Sequence, residues 1–305
     1  MFRILATVLT TVILAGFLGW MHPGLDAVSN FRLHLSVLLL GTALCLLLTH
    51  RRRTALSGIT VGAIGIWMSA GALPKFTEPA RAAADGSVYR LLHLNLWVHN
   101  QQTNDVLQLV DDVDAHILTF VEATRSWQKR LKPLEKRYRH VHRCNWSSTS
   151  GGVVIYSRLP MVGGSRSCHE GAIMALAKIK VEHTSFTVGA VHLSWPWPWE
   201  GAGEVTALKK SIAGIGENAV IAGDFNSASW TYLIRQFASY GGLSPVQNIG
   251  PTWIADSVPA KWATLFGLQP DNIMHKGRIR ASSAHTLRPV GSDHLPILFN
   301  YTVDG

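Results

Sequence analysis

The sequence predicts an α/β protein in two parts: a front of three apolar helices, then a larger domain of mixed sheets and helices. Three observations lead there. Charged residues make up only 15% of the 305-residue chain, against roughly 25% in soluble domains. That shortage is local: residues 1–80 hold six basic and two acidic groups, which leaves 22 basic and 17 acidic groups for the other 225. Beyond residue 80, strand-like runs outnumber helical ones and not every strand is followed by a helix, so the sheets should be mixed rather than purely parallel. With 47% hydrophobic residues the chain is not disordered, and 225 residues can bury one large core.

Residues 1–74 read as a membrane anchor. Ile4–Trp20, Leu33–Thr49 and Leu56–Leu73 run 17, 17 and 18 residues without a charge. Roughly 17–25 apolar residues cross a bilayer core as a helix. A cleaved signal peptide is the alternative for the first stretch, but the Ala-rich Ala82–Ala84 lies behind all three, too far in for that. His50-Arg51-Arg52-Arg53-Thr54 places the loop between the second and third stretches in the cytoplasm, with Arg3 and the amino terminus. The loop Met21–Arg32, with one Asp and one Arg, then lies outside. Residues 75–87 form a short linker, with Pro79 and many small residues. The domain of residues 88–305 is therefore expected on the periplasmic or extracytoplasmic side of a multi-pass inner (cell) membrane protein. Cys144 and Cys168 fall in that domain, where a disulfide is chemically allowed and two free thiols are equally compatible. No CxxC or Cys/His spacing supports structural zinc.

In the outer domain, Val88–Trp97 is β-rich. Thr103–Asp112 has helical spacing after a Thr103 or Asn104 cap. Ala115–Val121 is a short apolar run, and Arg125–Leu134 reads as helix. Val153–Tyr156, Ile173–Val181 and Phe186–Leu193 read as strands. Val205–Ile215 is a helix, Ala219–Ala222 a buried strand, Ser229–Phe237 a helix, and Leu295–Tyr301 a closing strand.

Polar residues gather at the strand ends. Asp224 and Asn226 end the strand of residues 219–224, and strand alternation would put both on one side; an Asx turn is the bland alternative. Gly291-Ser292-Asp293-His294 sets an acid beside a histidine just before the last strand. Asp293 could bind a cation or orient an imidazole, and His294 could stabilise or protonate a phosphoryl oxygen. Glu122 ends Ile117-Leu-Thr-Phe-Val121, where a carboxylate suits a hard cation. Asn95 and His192 end strands in the same way, and Asp271 lies in Gln269-Pro-Asp271-Asn-Ile. No Walker-A or dinucleotide fingerprint occurs, so no nucleotide cofactor is expected.

In chain order this set resembles the endonuclease/exonuclease/phosphatase superfamily, the DNase I-like group, in a membrane-anchored bacterial form. The motifs are Gly223-Asp224-Phe225-Asn226, Gly291-Ser292-Asp293-His294 and Gly151-Gly152-Val153-Val154-Ile155-Tyr156-Ser157-Arg158, and the resemblance covers about residues 88–301. It implies a four-layer α/β sandwich of two packed mixed β-sheets flanked by helices, and phosphoester hydrolysis dependent on Mg²⁺ or Mn²⁺. It also implies roles. Glu122 would bind the metal with Asn95 and Asp293, and Asp224 would activate or orient the attacking water. Asn226 and His192 would contact the phosphate. His294, oriented by Asp271, would stabilise the transition state or act as acid/base. The chain departs from the family in Asp271-Asn272, where Asp-His or Asp-Tyr is usual, and in Val121-Glu122, where Gln-Glu is common in nucleases.

Two segments bear on the substrate. Residues 129–143 hold seven Lys/Arg, which could track phosphates or form a solvated helix and turn. Ser194-Trp195-Pro196-Trp197-Pro198-Trp199-Glu200 follows His192, and its rings could stack on bases, sit in a membrane interface or pack on the domain's own core. The expected activity is a metal-dependent phosphodiesterase or endonuclease-like hydrolase outside the cytoplasm. The alternatives are hydrolysis of a membrane-proximal phospholipid or lipid-linked phosphate, and a non-catalytic envelope interaction module.

Overall fold

The computed structural model describes residues 1–69, 87–144, 151–182, 184–255, 258, 262 and 266–304. Helices fall on all three apolar stretches: α1 (Phe2–Ala15), α3 (Arg32–Leu48) and α4 (Arg52–Ser69). A short helix, α2 (Pro23–Ser29), lies between α1 and α3, with Pro23 at its first turn and the His22 side chain accepting from Gly24 N. Leu9, Ile13, Leu39, Leu46 and Ala55 form the small core of this bundle. Small residues let α3 and α4 approach closely: a Cβ at Gly62 would lie 2.9 Å from Leu40 and 3.1 Å from the Ser36 carbonyl. Among the described residues no single helix is both long and apolar enough to cross a membrane; α1, extended to Leu18, and α2 meet that mark only together, across a bend of 118°. The end of the third apolar stretch and all but residue 87 of the expected linker, with Ala82–Ala84, lie outside the described residues.

The larger domain is two six-stranded sheets. One has the order β11 (Ile279–Thr286), β12 (Ile297–Val303), β1 (Tyr89–Asn95), β2 (Ile117–Ala123), β4 (Gly152–Ser157), β3 (His140–Cys144). The other has the order β5 (Ser167–His169), β6 (Met174–Val181), β7 (Thr184–His192), β8 (Ala219–Asp224), β10 (Asp271–Lys276), β9 (Ser244–Pro245). Among the described residues only β1/β2 and β7/β8 pair in parallel, so both sheets are mixed, as expected.

Strand alternation builds the layers. Leu91, Ile155, Val188, Val220 and Phe299 point between the sheets and form the central core. Leu92, Leu118 and Phe120 point outward against Val106, Leu109 and Val110 of α5 (Thr103–Val113) and Trp127 of α6 (Arg125–Arg130). Val191 and Ile221 face Val205 of α7 (Gly201–Ala207), Ile212 of α8 (Lys209–Ala213), and Leu233 and Phe237 of α9 (Tyr232–Gly241). Both faces of each sheet are covered, so the central strands read as continuous apolar runs.

Some boundaries shift. The N-cap of α5 is Gln102 rather than Thr103 or Asn104. The helix expected over 125–134 stops at Arg130 and passes into a 3-10 turn containing Pro133, which offers no N–H to a longer helix. The helix expected over 205–215 breaks into α7 and α8 at Leu208. Thr231 caps α9, so that helix begins after Ser229. Cys144 on the edge strand β3 and Cys168 on the edge strand β5 are disulfide-bonded, with Cα atoms 5.7 Å apart. The bridge joins the two sheets at one side of the sandwich.

Candidate active site

The C-terminal ends of both parallel pairs point to the same place. Asn95 ends β1, Glu122 lies near the end of β2, and His192 and Asp224 end β7 and β8 as register partners. Asp271 opens β10 directly opposite Asp224. Gly223 permits this closeness, because a Cβ there would lie 2.2 Å from the Val191 carbonyl. Glu122 is re-aimed by an irregularity: the β2/β4 register shifts between Phe120 and Ala123, and Glu122 takes φ +54°. For a non-glycine residue that left-handed backbone costs on the order of 1 kcal/mol, and the surrounding strands must hold it.

Asn95 joins the two sheets. Its Nδ2 donates to Glu122 Oε1 (3.0 Å) and to Asp224 Oδ2 (3.0 Å). Its own oxygen accepts from Trp97 N, and Val98 N donates to Glu122 Oε2. His192 Nε2 lies 3.9 Å from both Glu122 Oε1 and Asp224 Oδ2. Asp293 accepts from Trp253 Nε1 (3.0 Å) and is joined to Asn95 through Ser292, whose hydroxyl donates to the Asn95 carbonyl. Glu122, Asn95 and Asp293, named together from the sequence, thus share one end of the sandwich.

Beside them runs a buried chain of acids and imidazoles. His294 Nδ1 is 2.7 Å from Asp271 Oδ2, and His294 Nε2 is 3.7 Å from Asp224 Oδ2. The other Asp271 oxygen meets His93 Nε2 at 3.2 Å, and His93 Nδ1 meets the Thr119 hydroxyl. Burial opposes a charged His294, but Asp271 and then Asp224 outweigh it and push the imidazole up to about 10. Burial also opposes the charge of Asp271, yet His294 and His93 hold it well below the usual carboxylate range. Asp224 goes the other way: burial lifts it above that range despite His294 and His192.

The sequence missed His93, although alternation puts it on the same side of β1 as Asn95. It also passed over the role of Asn272, whose amide donates to the Ser227 and Pro270 carbonyls and so fixes the chain after β8. Alternation did not describe Asp224 and Asn226. The strand stops at Asp224, Asn226 has φ +47°, and its N–H donates to Asp224 Oδ1, so the bland Asx turn is present. The Asn226 side chain donates to the Leu193 carbonyl.

The donors fit a divalent cation. Glu122, Asp224 and Asp293 are hard oxygen ligands, as Mg²⁺ or Mn²⁺ prefers. Asp224, Asp271 and His294 also present ligand atoms within 4.8 Å of one another. The aromatic loop divides: Trp195 packs edge-on against Trp253, while Trp197 and Trp199 are 54% and 62% exposed. Much of the basic segment is not helix. Its end forms the edge strand β3, and Arg125, Gln128, Lys129, Lys132, Glu135 and Arg143 line a cleft of about 580 Å³.

Residues 92–294 match the Endonuclease/Exonuclease/phosphatase family. The chain belongs to that family. Solved structures agree on the fold. A D. rerio TDP2 complexed with single strand DNA product is 14% identical, with TM-score 0.57 over 71% of this chain and 100% of that one. An endonuclease/exonuclease/phosphatase from Bacteroides vulgatus is 16% identical, with TM-score 0.59 over 72% of this chain and all of the other. The human Nocturnin catalytic domain with bound sulfate anion is 16% identical, with TM-score 0.54 over 71% and 95%. No curated protein matches this family member in sequence.

Proposed function

We propose that the chain is a divalent-metal-dependent phosphoester hydrolase, of phosphodiesterase or endonuclease-like activity, held at a membrane with its catalytic domain outside the cytoplasm. The observation that carries the hydrolase reading is the convergence of Asn95, Glu122, His192, Asp224 and the Asp271–His294 pair on one end of both sheets. Glu122, with Asp293, would hold the cation, the Asn95 amide fixing the Glu122 carboxylate rather than ligating, and when bound the cation neutralises charge developing on the phosphate. Asp224, with its affinity for protons raised by burial, orients the attacking water and accepts its proton. His294, kept charged by Asp271, stabilises the phosphoryl oxygens at a fixed position. His192 and Asn226 border the same space and orient the phosphate.

The membrane reading rests on the charge-free stretches, the basic His50–Arg53 loop and the apolar side chains the bundle exposes, among them Ile4, Val8, Leu38, Leu44, Leu56 and Trp67. A periplasmic reporter fused at the carboxyl terminus should be active; activity only of a cytoplasmic reporter would overturn the topology. Exposed Trp197 and Trp199 favour a second reading, hydrolysis of a phospholipid or lipid-linked phosphate at the membrane surface. Full-length protein with Mg²⁺ or Mn²⁺, assayed on plasmid DNA, phospholipid and a prenyl pyrophosphate, separates the two. Hydrolysis of none of these, with no metal binding by titration, would support the non-catalytic alternative instead.

A further inference from the structure

The segment joining α1 to α3 is buried against the catalytic domain. Asp26, Ser29, Asn30 and Arg32 are each less than 5% exposed, although the sequence reads this stretch as an outer loop. Asp26, Ser29 and Asn30 contact the connection between β8 and α9 and the first turn of α9. Asp26 Oδ1 accepts from Tyr232 N (2.6 Å) and Asp26 Oδ2 from Leu233 N (2.8 Å). Asn30 Oδ1 accepts from Ala228 N (2.7 Å), and the Ser29 carbonyl accepts from Trp230 Nε1 (2.7 Å).

These four bonds supply what the loop lacks. The first N–H groups of α9 have no partner within the helix. Its own cap, Thr231, reaches only Ile234 N, at 3.4 Å. Asp26 caps the first turn from 206 residues away. The donor segment is itself fixed: Ser29 Oγ donates to the Gly16 carbonyl, and Arg32 reaches both Ser29 Oγ and that carbonyl while stacking on Phe17. The clamped stretch begins two residues after Asn226, whose left-handed backbone no regular element holds. On its other side, Asn272 holds the Ser227 carbonyl.

We propose that residues 26–30 are a positioning element of the active site: Asp26 and Asn30 lock the β8–α9 loop, and through it the geometry of Asp224 and Asn226. The inference rests on the hydrolase reading above. It makes the helical front a working part of the enzyme rather than a tether alone, so that catalytic geometry depends on a contact outside the catalytic fold.

The test uses full-length protein in detergent micelles, with Mn²⁺ and bis(p-nitrophenyl) phosphate as the probe. Asp26→Ala and Asn30→Ala should each lower kcat about tenfold or more, since small displacements of reacting groups carry that cost, with KM within about twofold. Asn30→Asp keeps the acceptor for Ala228 N and should recover most of the loss relative to Asn30→Ala. Amide exchange should rise at least about tenfold at Tyr232 and Leu233 in Asp26→Ala, and at Ala228 in Asn30→Ala, while β1 and β7 stay protected. Trp230→Phe removes one bond at little steric cost and should show a smaller loss in the same direction, which covers the case that Asp26→Ala fails to fold. Wild-type kcat in Asn30→Ala and Trp230→Phe, or unchanged exchange over 228–233, overturns the clamp while leaving the hydrolase reading intact. A wild type no faster than Glu122→Ala overturns both.

Discussion

Asp271→Asn tests the electrostatic core of the site. The substitution keeps the side chain's shape and removes one charge from a position with no solvent access. In the native protein Asp271 contacts His294 at 2.7 Å and His93 at 3.2 Å. Of the groups that raise His294 to about 10, Asp271 acts most strongly, ahead of Asp224. Without it, burial should pull the metal-free imidazole down from that value, with Asp224 and Asp293 still opposing the fall. Removing one partner of a buried ion pair costs about 3–5 kcal/mol. The pH dependence has two limbs. His294 binds its proton more tightly folded than unfolded, so its stabilisation is complete below pH 6.5 and is lost as pH rises through about 10. Asp271 binds its proton less tightly folded, so its share is present above pH 3.8 and is lost as pH falls through its depressed folded value. Asp271→Asn should flatten both limbs and lower kcat by about 10²–10⁴ at neutral pH. Histidine NMR titration of EDTA-treated protein, denaturant melts across pH, and turnover measure the three effects. A His294 that titrates identically in wild type and variant would refute the reasoning.

Replacing Glu122, Asp224 or His294 with Ala should each cut turnover at least about 100-fold with an unchanged circular dichroism spectrum; near-normal rates in all three would sink the hydrolase reading. EDTA should abolish hydrolysis and added Mn²⁺ restore it, and full activity in chelator would exclude the proposed cation. Reduction, or Cys144→Ser, should cost about 3 kcal/mol for a bridge closing a loop of sequence separation 24, read from denaturant midpoints with and without reductant. Trp197→Ala with Trp199→Ala should weaken binding to lipid vesicles while leaving bis(p-nitrophenyl) phosphate turnover near wild type. Loss of both together would contradict a membrane-contacting role for these rings.

Much of the sandwich was legible because its central strands are covered on both faces and so appear as unbroken apolar runs, as at Ile117–Val121 and Ala219–Ala222. The edge strands were not, since β3 and β11 carry His140, His142, Ser283 and His285 and hold no apolar run, and β3 lies in the basic segment that reads as a solvated helix and turn. Strand-end polar residues exposed the site because a carboxylate or amide ending an apolar run has few structural reasons to be there. His93 was hidden inside its run, and its partner lies 178 residues away. The burial of Asp26 and Asn30 was also invisible: their partners come from the far side of the chain, and no local pattern records that.

The two sheets each deliver one pair of reactive groups, Asn95 with Glu122 from one and His192 with Asp224 from the other. Nothing within a single sheet sets the distance between the pairs. That distance is a property of how the sheets rest on each other, through Leu91, Ile155, Val188, Phe186 and their neighbours in the central core, with the Asn95–Asp224 hydrogen bond tying the pairs together. Close-packed interiors transmit small shifts rather than absorbing them. Apolar substitutions in that filling, though they never touch the site, should therefore shift the distance between the pairs.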